Sequence, residues 1–200
     1  MEAEGICHVR LIPTTDLEAK LRASVSFARV ITSSCGSSIN RSFTKLIEKI
    51  GLKKIRSKLT LKTVTLIEAV RRLNRISETF RKTGGVHIAV LFDKEGQLID
   101  YGEDVGRHNA VDKVIGAGAM RKVAFNSCFL VSSGRLTGDI VLKAARVGIP
   151  ILASISAPIS SGIEVAERAN LTLIGFVRGG RINVYTHPKR IKELVSGCIT

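Results

Sequence analysis

Strand and helix patterns alternate through the second half of this chain, and the alternation restricts its fold more than any other feature. Apolar, β-branched runs at 125–133, 149–156 and 171–177 predict strands, and helical patterns lie between them. Helices of about ten residues between strands imply βαβ crossovers and a parallel sheet covered on both faces. The sequence therefore predicts a three-layer α/β/α domain over roughly 60–200.

The preceding residues extend this domain. Apolar residues recur at three- and four-residue spacing over 63–82 and predict an amphipathic helix that Gly84 ends. A predicted hairpin at 86–102, with Gly96 in its turn, leads into a predicted helix at 107–116.

The first forty residues have a different pattern. Runs at 6–12 and 25–31 predict strands, and TSSCGSSIN at 32–40 predicts a loop. The chain then divides into a partial β-rich N-terminal segment with a cysteine loop at 1–40, a basic, largely helical connector at 41–82, and the α/β domain at 83–200.

Positive charge is concentrated in the connector. The chain carries 31 Lys and Arg against 17 Asp and Glu, a net charge of +14, and residues 41–82 supply 13 − 3 = 10 of it. This block is either a solvated helical face or a contact surface for an anionic protein or a phosphorylated ligand. A nucleic-acid surface is the least favoured alternative, because Phe43 and Phe80 are its only aromatic residues.

The cysteines favour a reduced, cytoplasmic protein. They stand at 7, 35, 128 and 198 without a CxxC pair, which fits neither a zinc ribbon nor a disulfide scaffold. No apolar run reaches the roughly 18 residues of a membrane span, and no secretory pattern is seen. Cys128 lies in an apolar strand and is predicted to be buried, whereas Cys35 lies in a loop of small residues near the basic block, where a thiolate is favoured.

Polar residues crowd the segment GEDVGRHNAVDKVIG at 102–116, where the predicted hairpin meets a helix. Glu103 and Asp104 suit the positive end of that helix, and its free N–H groups could receive a phosphate or a carbonyl. The segment is either a ligand-binding junction or a helix cap with surface ion pairs. His87, at the start of a predicted strand, is likewise either a hydrogen-bonded strand residue or a polar group of a site.

Three later turns are rich in glycine, hydroxyl and arginine residues. SSGRLTGD at 132–139 and SISAPISSG at 154–162 follow strands, where open α/β sheets usually bind ligands, and Arg135 supplies a planar fork for phosphate. RGGR at 178–181 places two arginines around two glycines in a hairpin, a shape that suits a pyrophosphate. Each turn alone could be an ordinary surface turn, but their convergence predicts an anion-binding site.

The order of hairpin, helix, strand and helix is that of the zinc nucleoside deaminases, which need H-x-E on the first helix and P-C-x-x-C on the second. Here His108 is followed by Asn109 and Ala110, and 134–139 contains no cysteine. We therefore expect a related architecture without a zinc site and without deamination.

Several motifs together resemble the formate dehydrogenase accessory sulfurtransferase family, FdhD. They are SSCG at 33–36, TGGVHIAVLFD at 83–93, EDVGRHNAVDKVIG at 103–116, SSGRLTGDIVLKA at 132–144, SAP at 156–158 and LTLIGFVRGGRINVYTHPKRI at 171–191. AEGI at 3–6 resembles the end of the family's N-terminal domain, so we expect a chain that is N-terminally shortened relative to the family.

The resemblance implies a dimeric, cytoplasmic sulfur carrier with a persulfide intermediate. Such a protein takes sulfur from a cysteine desulfurase and passes it to the molybdenum bis-molybdopterin guanine dinucleotide cofactor of formate dehydrogenase, which GDP-like nucleotides should mimic. The C-terminal domain is expected to be cytidine-deaminase-like, without zinc. Cys35 matches the persulfide cysteine. The cofactor-binding residues are expected to be Phe176, Val177, Arg178, Gly179, Gly180, Arg181, Arg135 and His108.

One position departs from the family pattern. Ser38 stands where many members have a second cysteine, which excludes a disulfide at this loop but leaves a relay through Cys35 alone. Two alternatives stay open: a cofactor-binding chaperone that transfers no sulfur, and a nucleic-acid-binding protein that uses the basic block.

Overall fold

The computed structural model describes residues 51–193 of the protein. The helices are α1 (Thr63–Ile76), α2 (Glu78–Thr83), α3 (Arg107–Met120), α4 (Gly138–Arg146) and α5 (Ser160–Ala169). The strands are β1 (Leu61–Lys62), β2 (His87–Asp93), β3 (Leu98–Asp104), β4 (Cys128–Ser132), β5 (Ile151–Ser154), β6 (Thr172–Arg178), β7 (Arg181–Val184) and β8 (Ile191–Lys192). Single 3-10 turns lie at Phe125–Ser127 and Pro188–Arg190.

Six of the strands form one mixed sheet in the order β3-β2-β4-β5-β6-β7. β4, β5 and β6 are parallel, whereas β2 is antiparallel to both β3 and β4, and β7 is antiparallel to β6. Each parallel step is made through a helix, as the alternation of the sequence predicted. β1 and β8 form a separate two-stranded parallel pair.

Helices cover both faces of the sheet. α1 buries Leu66 and Leu73 against the face that contains Val90, Val131 and Ile174. The opposite face carries α3, α4 and α5, whose buried residues pack against the alternate positions Leu91, Leu130, Leu152 and Leu173. Because neighbouring strand residues point to opposite faces, the continuous apolar runs of β2 and β4 fill both cores. The predicted three-layer α/β/α architecture is confirmed.

Several predicted boundaries need correction. The helix expected over 63–82 is two helices, because the Ser77 hydroxyl accepts a hydrogen bond from the Phe80 N–H at 2.8 Å and caps α2. Gly84 ends α2 in the left-handed conformation, as predicted. The strand expected from residue 125 begins only after a 3-10 turn, and the helix expected near Pro188 is itself a single 3-10 turn.

The predicted strands at 6–12 and 25–31, the loop at 32–40 and the first part of the basic connector lie outside the described residues. From residue 51 onward the connector packs with the α/β domain: the Ile55 N–H donates to the Ala169 carbonyl at 2.8 Å, and α1 covers one face of the sheet. Within residues 51–193, no helix has both the length and the apolar character needed to cross a bilayer.

Candidate functional site

The polar turns gather where β4, β5 and β6 end, which we name the carboxyl end of the sheet. Because these strands are parallel, the turns at 132–139, 154–162 and 178–181 all lie there. β2 begins at the same end and β3 finishes there, which adds the junction at 103–108. The predicted convergence of the three turns is confirmed.

Serine hydroxyls join the first two turns. The Ser132 hydroxyl accepts from the Gly134 N–H at 3.1 Å, and the Ser154 hydroxyl donates to the Gly134 carbonyl at 2.7 Å. The Ser154 hydroxyl also accepts from the Ser156 N–H at 2.9 Å. Short hydroxyl side chains therefore hold the backbone of both turns in position without filling the space above them.

Gly134 gives room to a side chain of the neighbouring junction. A Cβ atom on Gly134 would lie 2.8 Å from the Cβ of Arg107, the first residue of α3. The Arg107 side chain is buried beside this turn, with 8% exposed. The space beside Gly134 is thus occupied by Arg107, and the start of α3 lies against the turn at 132–139.

His87 is hydrogen-bonded at this end of the sheet. Its Nδ1 lies 3.2 Å from the Ser133 hydroxyl, which also accepts from the Ile88 N–H at 3.0 Å. Burial, and secondly the charge of Arg107, lower the pKa of His87 below its ordinary value. His87 is therefore a hydrogen-bonded strand residue, the first of the two predicted alternatives, and its position adjoins the site.

His108 lies in the first turn of α3, and its Nε2 is buried with no hydrogen-bond partner within residues 51–193. Burial lowers its pKa, and the charges of Arg107 and Lys143 lower it further, against a smaller opposing effect of Asp139 and Asp112. The imidazole is therefore neutral near pH 7 and keeps one ring nitrogen for another group.

The remaining polar residues of this junction stabilise the start of α3. The Asp104 carboxylate accepts from the Gly106 N–H at 2.8 Å and from the Asn109 amide at 3.0 Å, and it pairs with Lys113 at 2.8 Å. The hydrogen bond from Lys113, followed by those from Gly106 and Asn109, lowers the pKa of Asp104 to about 2. The alternative of a helix start with surface ion pairs is confirmed for Asp104, Asn109 and Lys113, while the ligand-binding alternative stays a prediction for His108.

The hairpin at 178–181 presents two arginines side by side. Arg178 and Arg181 are paired across β6 and β7, both are exposed, and neither meets a carboxylate within residues 51–193. Between them, Gly179 and Gly180 have φ of +58° and +78°, a conformation that favours glycine. Four backbone N–H groups and two guanidinium groups thus share one small turn.

An irregularity in β6, between Gly175 and Arg178, precedes this hairpin. Phe176 has φ of +53°, its N–H donates to the Ser156 carbonyl at 3.1 Å, and its ring lies 5.5 Å from the guanidinium carbon of Arg178. A Cβ atom on Gly175 would lie 2.5 Å from Cδ of Pro158, so only glycine fits there without a shift. This irregularity ties the second turn to the hairpin.

The other predicted site residues differ in exposure. Arg135 is exposed in the first turn. The Val177 side chain is 1% exposed and packs with Ile182 in the core, so Val177 offers only its backbone to a ligand. Sequence reasoning did not single out Ser133 or Ser154, although both end apolar strands beside small residues, and the left-handed backbone of Phe176 had no signal in the sequence.

The predicted catalytic residue Cys35 lies outside the described residues. Cys128, at the start of β4, is buried as predicted, and burial followed by the charge of Asp93 raises the pKa of its thiol to about 11. Within residues 51–193, no group of three His, Cys, Asp or Glu residues could hold a metal ion.

The structure is a three-layer α/β domain whose carboxyl end carries glycine turns, a neutral histidine and two arginines that meet no carboxylate within residues 51–193, groups whose chemistry suits an anion. Comparison with known proteins identifies its family. The chain belongs to the FdhD/NarQ family, whose model matches residues 3–192.

Curated relatives of this chain support the same family membership. The protein is 47% identical over 163 residues to the sulfur carrier protein FdhD of Sulfolobus acidocaldarius, which covers 81% of this chain and 62% of the relative. It is 37% identical over 192 residues to the sulfur carrier protein FdhD of Bacillus subtilis, covering 96% of this chain and 71% of the relative. The chain thus spans less than two thirds of the length of the first relative.

A solved structure supports the fold. A protein from Desulfotalea psychrophila, assigned as a formate dehydrogenase accessory protein, is matched with a TM-score of 0.64 at 41% identity over 68% of this chain and 60% of that chain.

Proposed function

We propose that this protein is a cytoplasmic, homodimeric sulfur carrier required for formate dehydrogenase activity. It takes persulfide sulfur from a cysteine desulfurase and passes it to the molybdenum bis-molybdopterin guanine dinucleotide cofactor. Family membership over residues 3–192 and the names of the relatives support the sulfur-carrier role. The observation that carries the cofactor half of the proposal is the pair of exposed arginines on the glycine hairpin at 178–181.

Cys35 carries the sulfur in this proposal. Its thiolate attacks the outer sulfur of the desulfurase persulfide, the S–S bond of the donor breaks, and the donor cysteine leaves as a thiolate. This exchange is redox-neutral and leaves a persulfide on Cys35. Release of the outer sulfur as sulfide to the molybdenum then takes two electrons from a thiol reductant and returns Cys35 to the thiolate.

The hairpin holds the cofactor by its phosphates. Arg178 and Arg181 can each donate two hydrogen bonds to a pyrophosphate, and Gly179 and Gly180 let the backbone N–H groups approach it. The Phe176 ring supports the Arg178 guanidinium from one side.

Two further groups complete the cofactor site. The neutral His108 donates or accepts one hydrogen bond at the start of α3. Arg135 adds a third positive charge from the first turn. These residues and the hairpin would together hold the guanine dinucleotide at the carboxyl end of the sheet.

A cofactor-binding chaperone that transfers no sulfur uses the same site. Ser38, in place of a second cysteine, favours this alternative, while retention of Cys35 opposes it. A sulfur carrier should acquire sulfur from a desulfurase, whereas a chaperone that only binds the cofactor should not.

The test is mass spectrometry of the protein after incubation with a cysteine desulfurase and cysteine. We expect one added sulfur atom on the peptide that contains Cys35, and none in Cys35→Ala. Cys128→Ala is the matched control, because Cys128 is buried with a raised pKa, and it should load like the wild type. If Cys35→Ala still carries the sulfur and still activates formate dehydrogenase, the transfer through Cys35 is wrong.

A further inference from the structure

A cationic groove, separate from the proposed cofactor site, lies at the opposite, amino end of the sheet, where β6 begins and β7 ends. It encloses about 700 Å³ and is lined by residues 57–60, by Glu167 and Asn170, and by residues 185–190. None of these residues belongs to the cofactor site proposed above, and β6 and β7 run the length of the sheet between the two.

Arg190 is the buried charge of this groove. Only 8% of it is exposed, and its Nη1 donates to the Thr172 hydroxyl at 3.3 Å. Its Nε is buried without an acceptor, and no carboxylate pairs with it within residues 51–193. Burial lowers the pKa of Arg190 below its ordinary value. A buried arginine without a carboxylate is costly unless an anion compensates it.

Two further cations stand at the rim. Lys58 and Lys189 are exposed, and in the part of the chain that the structure describes neither forms an ion pair. Other lysines of the same domain do pair, such as Lys82 with Glu78 at 2.6 Å. The two rim lysines therefore keep their charges available to a ligand.

The one acidic residue of the lining, Glu167, lies beside His187, which also lines the groove. Glu167 is 3.6 Å from Nε2 of His187, and the same nitrogen lies 3.0 Å from the Glu167 carbonyl, to which it can only donate. His187 holds this position with φ of +46°. Glu167 supplies the one negative charge among the lining residues, and it forms no ion pair with Arg190, Lys58 or Lys189 within residues 51–193. The three cations therefore leave the groove with an excess of two positive charges.

We propose that this groove binds a phosphate-bearing small molecule, with Arg190 as the buried anchor and Lys58 and Lys189 at the rim. A planar guanidinium binds two oxygens of a phosphate at once, and the two lysine ammonium groups compensate the second negative charge of the phosphate. A carboxylate ligand, with a single charge, would compensate only half of the excess positive charge of the groove. The groove is large enough for a ligand beyond the phosphate itself, and Tyr185 and Leu59 give that part an apolar surface.

Pyrophosphate titration of the isotope-labelled full chain, followed by NMR, tests this site separately from the hairpin. We expect saturable shifts at residues 57–60 and 186–190 as well as at 178–181. Lys58→Ala with Lys189→Ala should weaken binding at the groove by about tenfold or more and leave the response at 178–181 unchanged. Arg178→Ala with Arg181→Ala should do the reverse, so failure of the groove and failure of the proposed function are distinguishable.

The matched control is Lys53→Ala with Lys54→Ala, which removes the same charge from two exposed residues outside the groove. Rim variants are used because Arg190→Gln could unfold the chain. Equal weakening in the control pair, the absence of saturable shifts at 57–60 and 186–190, or an equal response to acetate would each overturn the phosphate site.

Discussion

The two ends of the sheet hold arginines in opposite ways. At the carboxyl end, Arg178 and Arg181 stand exposed on a hairpin, and the nearby surface is made of backbone, glycine and serine. At the amino end, Arg190 is buried and long lysine side chains form the rim. An exposed arginine adds almost nothing to the free energy of unfolding and is available to a ligand, whereas a buried arginine also affects the stability of the fold.

Backbone geometry explains the difference. Parallel strands end in turns that precede helices, so free N–H groups collect at the carboxyl end and small residues let a ligand reach them. The groove at the amino end is lined instead by side chains from residues distant in sequence, such as Lys58 and Arg190.

The largest effect is expected where the carboxyl end is packed most tightly. A Cβ atom on Gly162 would lie 2.3 Å from the Leu136 carbonyl oxygen, so Gly162→Ala forces α5 away from the first turn. We expect a loss of roughly 1–3 kcal/mol in the free energy of unfolding, measured by urea denaturation.

Gly116→Ala in α3 is the matched control, because nothing lies within 4 Å of its added Cβ. It should stabilise the protein by about 0.5–1 kcal/mol, since alanine is the better helix former. If both variants behave alike, the close packing of α5 on the first turn is wrong.

The next effect is on ligand binding at the hairpin. Arg178→Ala with Arg181→Ala should weaken GDP binding at least about tenfold, as measured by calorimetry, because each guanidinium forms charge-assisted hydrogen bonds worth roughly 1.5–3 kcal/mol. Stability should change by less than about 0.5 kcal/mol, because both residues are exposed.

Arg56→Ala with Arg146→Ala serves as the charge-matched control for the hairpin, since both arginines are exposed elsewhere. Unchanged GDP affinity in the hairpin variant would move the site toward Arg135 and the turn at 154–162.

The smallest effect is the dependence of stability on pH. The pKa of His108 is lowered in the folded protein, so on acidification the unfolded chain binds a proton first. The free energy of unfolding should therefore fall as the pH drops below the ordinary histidine value of 6.5, with a slope from this residue of at most about 1.4 kcal/mol per pH unit. His108→Gln should flatten that fall.

Asp104→Asn should affect stability in a more acidic pH range than His108→Gln does. The pKa of Asp104 is lowered from 3.8 to about 2, so its stabilisation is present above the unfolded value and is lost as the pH falls toward 2. The free energy of unfolding, measured by chemical denaturation at a series of pH values, should differ from the wild type below about pH 6.5 in His108→Gln and mainly below about pH 4 in Asp104→Asn. A His108→Gln curve parallel to the wild type between about pH 7 and 5 would contradict the buried, neutral state of His108.

Much of the fold was predictable from the sequence because its signals are local. The spacing that includes Val70 and Leu73 predicts the helix and marks part of its buried face, although Val64, from the same pattern, is exposed. Gly84 and Gly96 take the positive φ that their turns require. The apolar runs of β4 and β5 likewise predict buried strands. These helices, strands and turns depend on residues close together in the chain, so residue composition and the period of the apolar positions are enough to predict them. The hairpin of the candidate site was found in the same way, from the string RGGR.

Only the tertiary structure decided which polar residues are structural and which are available. Asp104 and His108 lie four residues apart in one motif, yet Asp104 is satisfied by Lys113 and Asn109 while Nε2 of His108 is left without a partner within residues 51–193. Likewise Arg178 is exposed, whereas Arg190 is buried and its Nη1 donates to the hydroxyl of Thr172 at the start of β6. Burial and pairing depend on contacts between residues far apart in sequence, which local patterns do not encode.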